Sequence, residues 1–519
     1  MIKVFKYYFY SVKFFYQNIL MRYPFAVIIA MILISSIGSC RKSFETIPNY
    51  GNLEFSKDTV YLDTVFSNIG SSTYNLKVYN RGKNPITIPS IKLKNGISSN
   101  YRLNVDGTPG KEFFDINILA KDSIYIFIET TIDFSSVNNP LYTDKILFDN
   151  GNFQQKVDLV TLVKDAHFIF PNKIGLEIET LTINGKETDI QGRFLKDKEL
   201  IFTADKPYVI YGYAAIPPNK TLEIEKGTHI HFHNNSGLIV EKKGTIKAIG
   251  SLEEKIIFQG DRLEHLFDNI PGQWGTIWIR NGSVNNNFEN VIIKNAIVGT
   301  LVEGFSNSPS LTLYNTEIYN SSAYGLFGRN TNIIGNNLVI GNAGQSSLAC
   351  THGGQYNFNH ATFANYWPNG IRQLPTVVIN NHFSYKNENN EDVYEIRDLI
   401  EANFINTIID GDNNIELLLD NLESSIFNYN FSNCMIRFKD LNKDYSDVKE
   451  LDFNNTSHYQ NTIINGFPYF KNTSENIFSI LQESSAIGNG KYTDNHKDIQ
   501  GNERNLSIDI GAFQFSEKK

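Results

Sequence analysis

Residues 315–320 read NTEIYN and residues 337–342 read NLVIGN. Asn315, Ile318 and Asn320 return as Asn337, Ile340 and Asn342, each displaced by 22 positions. An asparagine followed by an aliphatic residue recurs at Asn290, Asn406, Asn433 and Asn461, with gaps of 25, 22, 27 and 28 residues inside the two runs. Such self-similarity outranks local propensity when a fold is read. Around it lie short β-prone runs closed by Gly or Asn, including VIYGYAAI (209–216), TLEIEKG (221–227), GTIWIRNGS (275–283) and HATFAN (360–365).

The period fits one coil of a right-handed parallel β-helix. Coils stack at about 4.8 Å, so an inward side chain meets its counterpart one coil away. That predicts Ile340 buried between Ile318 and Phe363. A sharp bend between two strands needs left-handed backbone, which Asn tolerates. Stacked Asn amides also satisfy polar groups that would otherwise be buried unpaired. The repeated asparagines therefore read as structural.

Two stretches carry a family likeness. PYVIYGYAAIPPNKTLEIEKGTHIHFHNNSGLIVEKKGTIKAIG resembles the opening coils of pectate-lyase-like β-helix proteins, and GQWGTIWIRNGS is similar to the motif after their first long loop. The segment SSAIGNGKYTDNHKDIQGNERNLSIDIGAFQF resembles their closing segment, with Asp498, Gly501, Arg504, Asp509 and Gly511 matching. The resemblance implies the fold over residues 206–519 and leaves activity open. The superfamily holds lyases, hydrolases, adhesins and inert scaffolds.

Before the repeat, residues 51–165 alternate strand-like runs with turns such as NRGKNP and DGTPG, as in an antiparallel β-sandwich. In SIYIFIETTI (123–132) the isoleucines point one way and Tyr125 and Phe127 the other. The order of VYNRGKNPITIPSIKL, YRLNVDG and LAKDSIYIFIETTI resembles immunoglobulin-like modules of the abnormal-spindle/hydin type, which implies a spacer or docking role. Residues 166–205 read as a linker and N-terminal cap.

MRYPFAVIIAMILISSIGSC (21–40) has a basic residue, an apolar run and small residues before Cys40, the layout of a secretory signal. Its ending resembles a bacterial lipobox, which implies acylation at Cys40 and cleavage before it; Met21 is an alternative start. The apolar run is short for a membrane span. Residues 41–50 then form a tether, with neither an Asp after Cys40 nor an acidic run. The expected location is the outer membrane, lipid-anchored, on its periplasmic or cell-surface side. Cys350 and Cys434 read as buried thiols, with a disulfide the alternative. A net charge of −8 and the lack of a basic stripe exclude nucleic acid as a partner.

Candidate chemistry is sparse. Asp410 and Asp412 in IIDGDNN read as solvated turn residues, and Asp498, Asp509 and Arg504 as a cap salt bridge. His229, His231 and His233 share one side of a strand, a geometry suited to metal, but no ligand of obvious spacing completes the set. His352 and His360 are candidate general bases. Trp274 and Trp278 read as structural. ANYWPNGIRQLP (364–375) interrupts the period and offers Tyr366, Trp367 and Arg372 as a binding loop for sugar or protein. Further breaks at 261–273, 384–398 and 437–460 read as rim loops, since insertions in repeat proteins gather on a binding face. No cofactor or metal is expected.

The composite expectation is an all-β chain, a sandwich followed by a single-stranded parallel β-helix, acting as a non-enzymatic outer-membrane lipoprotein. It would bind an envelope protein or polysaccharide. The alternative is a polysaccharide lyase or glycoside hydrolase; convergence of three or more of Asp410, Asp412, His352, His360 and Arg329 on one groove would favour it.

Overall fold

The computed structural model describes residues 45–516 apart from 138, 150, 505 and 506; Cys40 lies outside the described residues. The chain is all-β. Its described helical pieces are three-residue 3-10 turns, such as Gly96–Ser98 and Lys449–Leu451. The described residues form two compact units, one built from the chain up to Leu62, Ser71–Thr130 and Thr143–Val160, the other holding the rest.

In the first unit Tyr74–Tyr79, Ser123–Thr130 and Tyr101–Val105 pair antiparallel, and Ile86–Leu93 pairs antiparallel with Glu112–Ile118. Period-2 alternation sets the inner faces. Ile124, Ile126 and Ile128 are buried beside Leu76 and Val78, while Tyr125 and Phe127 on the same strand are exposed.

The second unit is dominated by a 25-stranded sheet whose ladders from Gly192 onward are parallel. One column of partners runs Tyr208, Ile230, Phe258, Ile293, Ile318, Ile340, Phe363, Ile409, Ile436 and Ile464. Ile340 is fully buried between Ile318 and Phe363, the expected register. A second column stacks Ala248, Phe288, Leu313, Gly335, Phe358, Phe404, Phe431 and Tyr459. Gly335 leaves the space that the Phe358 ring fills: a Cβ there would stand 2.7 Å from it. A third runs Ala214, Leu238, Ile277, Thr300, Leu326, Leu348, Val377 and Leu417. Side chains of all three columns meet in one apolar core.

The asparagines sit where one strand passes from one ladder to the next. In Leu311–Ser321, residues before Asn315 pair with 286–289 and residues after it with 291–294. Asn290, Asn315, Asn337, Asn406, Asn433 and Asn461 all have φ between 47° and 52°. Their amides link rung to rung, Asn315 Nδ2 donating to Asn290 Oδ1 (3.2 Å) and Asn337 Nδ2 to Asn315 Oδ1 (2.9 Å). His360 occupies the same place with φ 51°. Its Nε2 accepts from Asn406 Nδ2 (3.0 Å), and Nδ1 faces the Gly511 carbonyl (3.3 Å). Burial pushes its pKa down to about 3, so the ring is neutral. His360 is thus a corner residue rather than a general base.

Residues 470–504 and 507–515 fold back along these corners as a strap. Its carbonyls at Lys497, Lys491 and Asn489 accept from Asn337, Asn406 and Asn433. Phe478, fully buried, packs against Tyr319. Asp498, Arg504 and Asp509 knot this strap by another route than the expected salt bridge. Arg504 Nη2 donates to Asn337 Oδ1 and to the Gly511 and Ala512 carbonyls. Asp498 accepts the N–H groups of Gln500, Asn502 and Gln514, and Asp509 those of Gly488 and Phe515.

The excursion 437–460 also departs from expectation. Tyr445, Val448, Leu451, Phe453 and Tyr459 pack against the core, so much of this segment serves as its lid rather than a rim. Its aromatic residues and Leu451 provide the reason: a solvated loop has no use for them.

Candidate binding pocket

Arg372 is drawn inward by Glu416. Both are buried, and Nη2 and Nη1 donate to Oε1 and Oε2 at 2.5 and 2.8 Å. Glu416 also accepts from the Thr376 N–H and hydroxyl and the Asn413 N–H. The Arg372 Nη groups further reach the carbonyls of Leu374 and Asn365, which pins the loop to the stack. A buried ion pair holds position when its remaining valences are met, as they are for Glu416. The guanidinium fork is therefore spent inside. Its Nε–H alone has no partner among the described residues.

Tyr366 is half-buried, with Phe470 edge-on at 6.1 Å. Its hydroxyl bonds Asp410, and burial raises its pKa far above the usual tyrosine value. Trp367 is half-buried against Gly344. Asp410 is no solvated turn residue: it is 3% exposed, and burial pushes its carboxyl up to about 6 against the pull of Gly411 N–H and Arg437. Arg437 Nη1 stands 3.7 Å from Asp410 Oδ1, and Asp412 is exposed.

The loop's outer edge and the start of the 437–460 excursion enclose a pocket of about 620 Å3. Arg372, Asn413, Asn414, Lys439 and Asn442 are among its lining residues, and Ile371 and Leu441 stand on it at 90% and 75% exposure. The size falls within the range of ligand pockets. Asp398 and Lys449 share a second hollow, so the breaks at 384–398 and 437–460 also meet.

The other singled-out residues lie elsewhere. Segment 382–396 is an antiparallel hairpin bearing exposed Phe383 and Tyr385, stacked at 6.2 Å. Arg329 lies over Phe383 at 5.6 Å, and His352 is 6.3 Å from the same ring. His352 and Arg329 thus share one place, Asp410 and Asp412 another, and His360 a third. His229, His231 and His233 share a face but bond separately. Buried His231 holds the Gly260 carbonyl through Nδ1, and His233 pairs with Asp261. Segment 261–273 is pinned by Asn295 and Gln273 to the carbonyls of Asp268 and Ile270. Trp274 is buried, its Nε1 donating to the Lys294 carbonyl, and Trp278 donates to Glu303. Cys350 and Cys434 are buried free thiols.

Sequence reasoning missed Glu416 and Lys439. Glu416 lies on the next rung, beside Leu417, which pairs with Val377, yet 44 residues from Arg372 in sequence, so no local signal announced it.

No family profile matches the chain, and no curated protein does. Among solved structures it is similar to a family 123 glycoside hydrolase from Clostridium perfringens, studied for glycolipid glycan hydrolysis, at 14% identity and TM-score 0.16. That match covers 21% of this chain and 25% of the hydrolase. It is also similar to the E. coli chaperone DraB, at 13% identity and TM-score 0.16, over 28% of this chain and 82% of DraB. Likeness at that level is local and transfers neither fold nor activity.

Proposed function

We propose that this chain is a non-enzymatic binding scaffold of a bacterial cell envelope, anchored in the outer membrane by lipid on Cys40. In this reading the first unit is an immunoglobulin-like sandwich that serves as a spacer. The three parallel ladders are the faces of a right-handed single-stranded β-helix of the pectate-lyase-like kind, and this unit docks an envelope protein or a polysaccharide. One observation carries the docking role: the loops that break the period, 364–375 and 437–460, share a pocket with Ile371 and Leu441 exposed on it. Exposed aliphatic side chains beside a concave polar floor suit a partner surface.

The enzymatic alternative has Asp410 in its favour, a carboxyl that keeps its proton up to about pH 6. Against it, Asp410 lies buried under Tyr366, and Glu416, the carboxylate acting on it, is committed to Arg372, Thr376 and Asn413.

Capture of membrane-extracted partners on the intact, acylated chain tests the reading. Ile371→Asp with Leu441→Asp should abolish capture and leave the unfolding temperature unchanged; undiminished capture would refute the pocket as the docking site. Cys40→Ser should leave an unprocessed or soluble species.

A further inference from the structure

The antiparallel sheet of the first unit turns its isoleucines inward and leaves an outer face that a spacer has no need of. On Ser123–Thr130 the outward residues at the centre are Tyr125 and Phe127, at 46% and 42% exposure. Their ring centroids are 6.1 Å apart and their planes 14° from parallel. Strand register surrounds these rings with polar groups. Phe127 lies between Asn75 on Tyr74–Tyr79 and Asn104 on Tyr101–Val105. Tyr125 lies beside Lys77, whose ammonium stands 5.1 Å from its ring and 5.3 Å from that of Tyr79. Asp106, whose N–H donates to the Tyr125 carbonyl, follows on the other side. A solvated sheet face is ordinarily filled with polar side chains, so two neighbouring rings at its centre mark a place of contact.

We infer that this face binds a neutral polysaccharide, a site beyond the spacer role given to the unit above. Charge complementarity selects the occupant. Arg81 pairs with Glu54 (3.0 Å) and Arg102 with Glu129 (3.6 Å), while Lys77 and Asp106 stand on opposite sides of Tyr125 and offset each other. The charge is balanced, so neither an acidic nor a basic polymer gains from this face. Chemistry then selects among neutral partners. The C–H face of a pyranose is apolar and lies against an aromatic ring, while its hydroxyls need donors and acceptors together. The exposed Asn75 amide supplies both and bonds no other described residue. The Lys77 ammonium adds donors next to the Tyr125 ring. A protein partner would be held instead by aliphatic anchors, and those of these strands, Leu76, Val78, Leu103 and Ile126, are buried beneath the sheet.

The test is retention of the intact, detergent-solubilised chain on insoluble polysaccharides. Cellulose, mannan, chitin and starch granules are the neutral probes, and calcium polygalacturonate is the acidic one. The chain should be retained on at least one neutral probe, in preference to the acidic one and undiminished by added salt. Tyr125→Thr with Phe127→Thr keeps β-prone residues on the strand. This pair of changes should weaken retention at least about tenfold without moving the unfolding temperature. Asn75→Ala should weaken it about threefold to tenfold, the share of one hydrogen bond. Retention on no neutral probe overturns the inference, as does retention on the acidic probe alone. Retention that the double ring variant leaves intact overturns it as well. Glycan retention should survive Ile371→Asp with Leu441→Asp, so this site and the docking pocket fail separately; its loss there, with the ring variant still retained, would move the glycan to the second unit and overturn the inference.

Discussion

Asn337→Ala should destabilise the second unit as much as a large core truncation, although it removes no apolar surface. Asn337 is fully buried, with φ 50°. Holding a β-carbon-bearing residue other than Asn in that conformation costs about 1–2 kcal/mol. The side chain donates to Asn315 Oδ1 and the Lys497 carbonyl, and accepts from Asn495 and from Arg504 Nη2. Arg504 keeps two carbonyls and part-buried Asn495 can turn to water, so two acceptors are truly stranded. Each stranded buried group costs about 1–3 kcal/mol. The sum is about 3–8 kcal/mol. Asn337→Gly should recover the backbone share, about 1–2 kcal/mol, and none of the rest. Urea unfolding of the intact chain followed by amide exchange at the corner strands resolves the unit concerned. A loss below about 1 kcal/mol for Asn337→Ala, or equal losses for Ala and Gly, would refute the view that these amides and this backbone geometry hold the rungs together.

Ile340→Ala, which empties a site between Ile318 and Phe363, should cost about 2–5 kcal/mol in the same unfolding assay with an unchanged denaturant slope. Asp410 supplies a pH signature. Its folded pKa is raised from 3.8 to about 6, so the native state holds the proton more tightly than the unfolded chain. Its contribution is therefore favourable below pH 3.8 and is lost as pH climbs through about 6. This component of the stability should fall by up to about 3 kcal/mol across that window, and Asp410→Asn should remove that component relative to the unmodified chain.

The repeat was legible because its signal is conformational. Left-handed backbone at a buried corner admits few residue types, so Asn315 and Asn337 announce themselves, and Ile318 and Ile340 follow by register. The same logic hid His360. The corner asks only for a small polar ring or amide that bonds its neighbours, and a histidine there reads as chemistry because nothing local distinguishes the two uses. The burial of Asp410 and the Arg372–Glu416 pair escaped the sequence for a related reason. Their burial depends on Tyr366, Glu416 and Arg437, residues brought in from other rungs, and a pairing across 44 residues leaves no local trace. The excursion 437–460 looked like surface by length and charge, while its few apolar residues, Val448, Leu451 and Phe453, carry its actual role.

The strap that ends at residue 515 acts as a ruler for the stack it lies along. Its carbonyls at Asn489, Lys491 and Lys497 meet corners at Asn433, Asn406 and Asn337, so its length is matched to a set number of rungs. Adding or removing one rung would move every later corner by about 4.8 Å relative to the strap. An open-ended stack lengthens by duplication at little penalty, since each unit meets only its neighbours. Here a duplicated rung would mismatch the whole flank at once, so the strap confines changes of length to the loops.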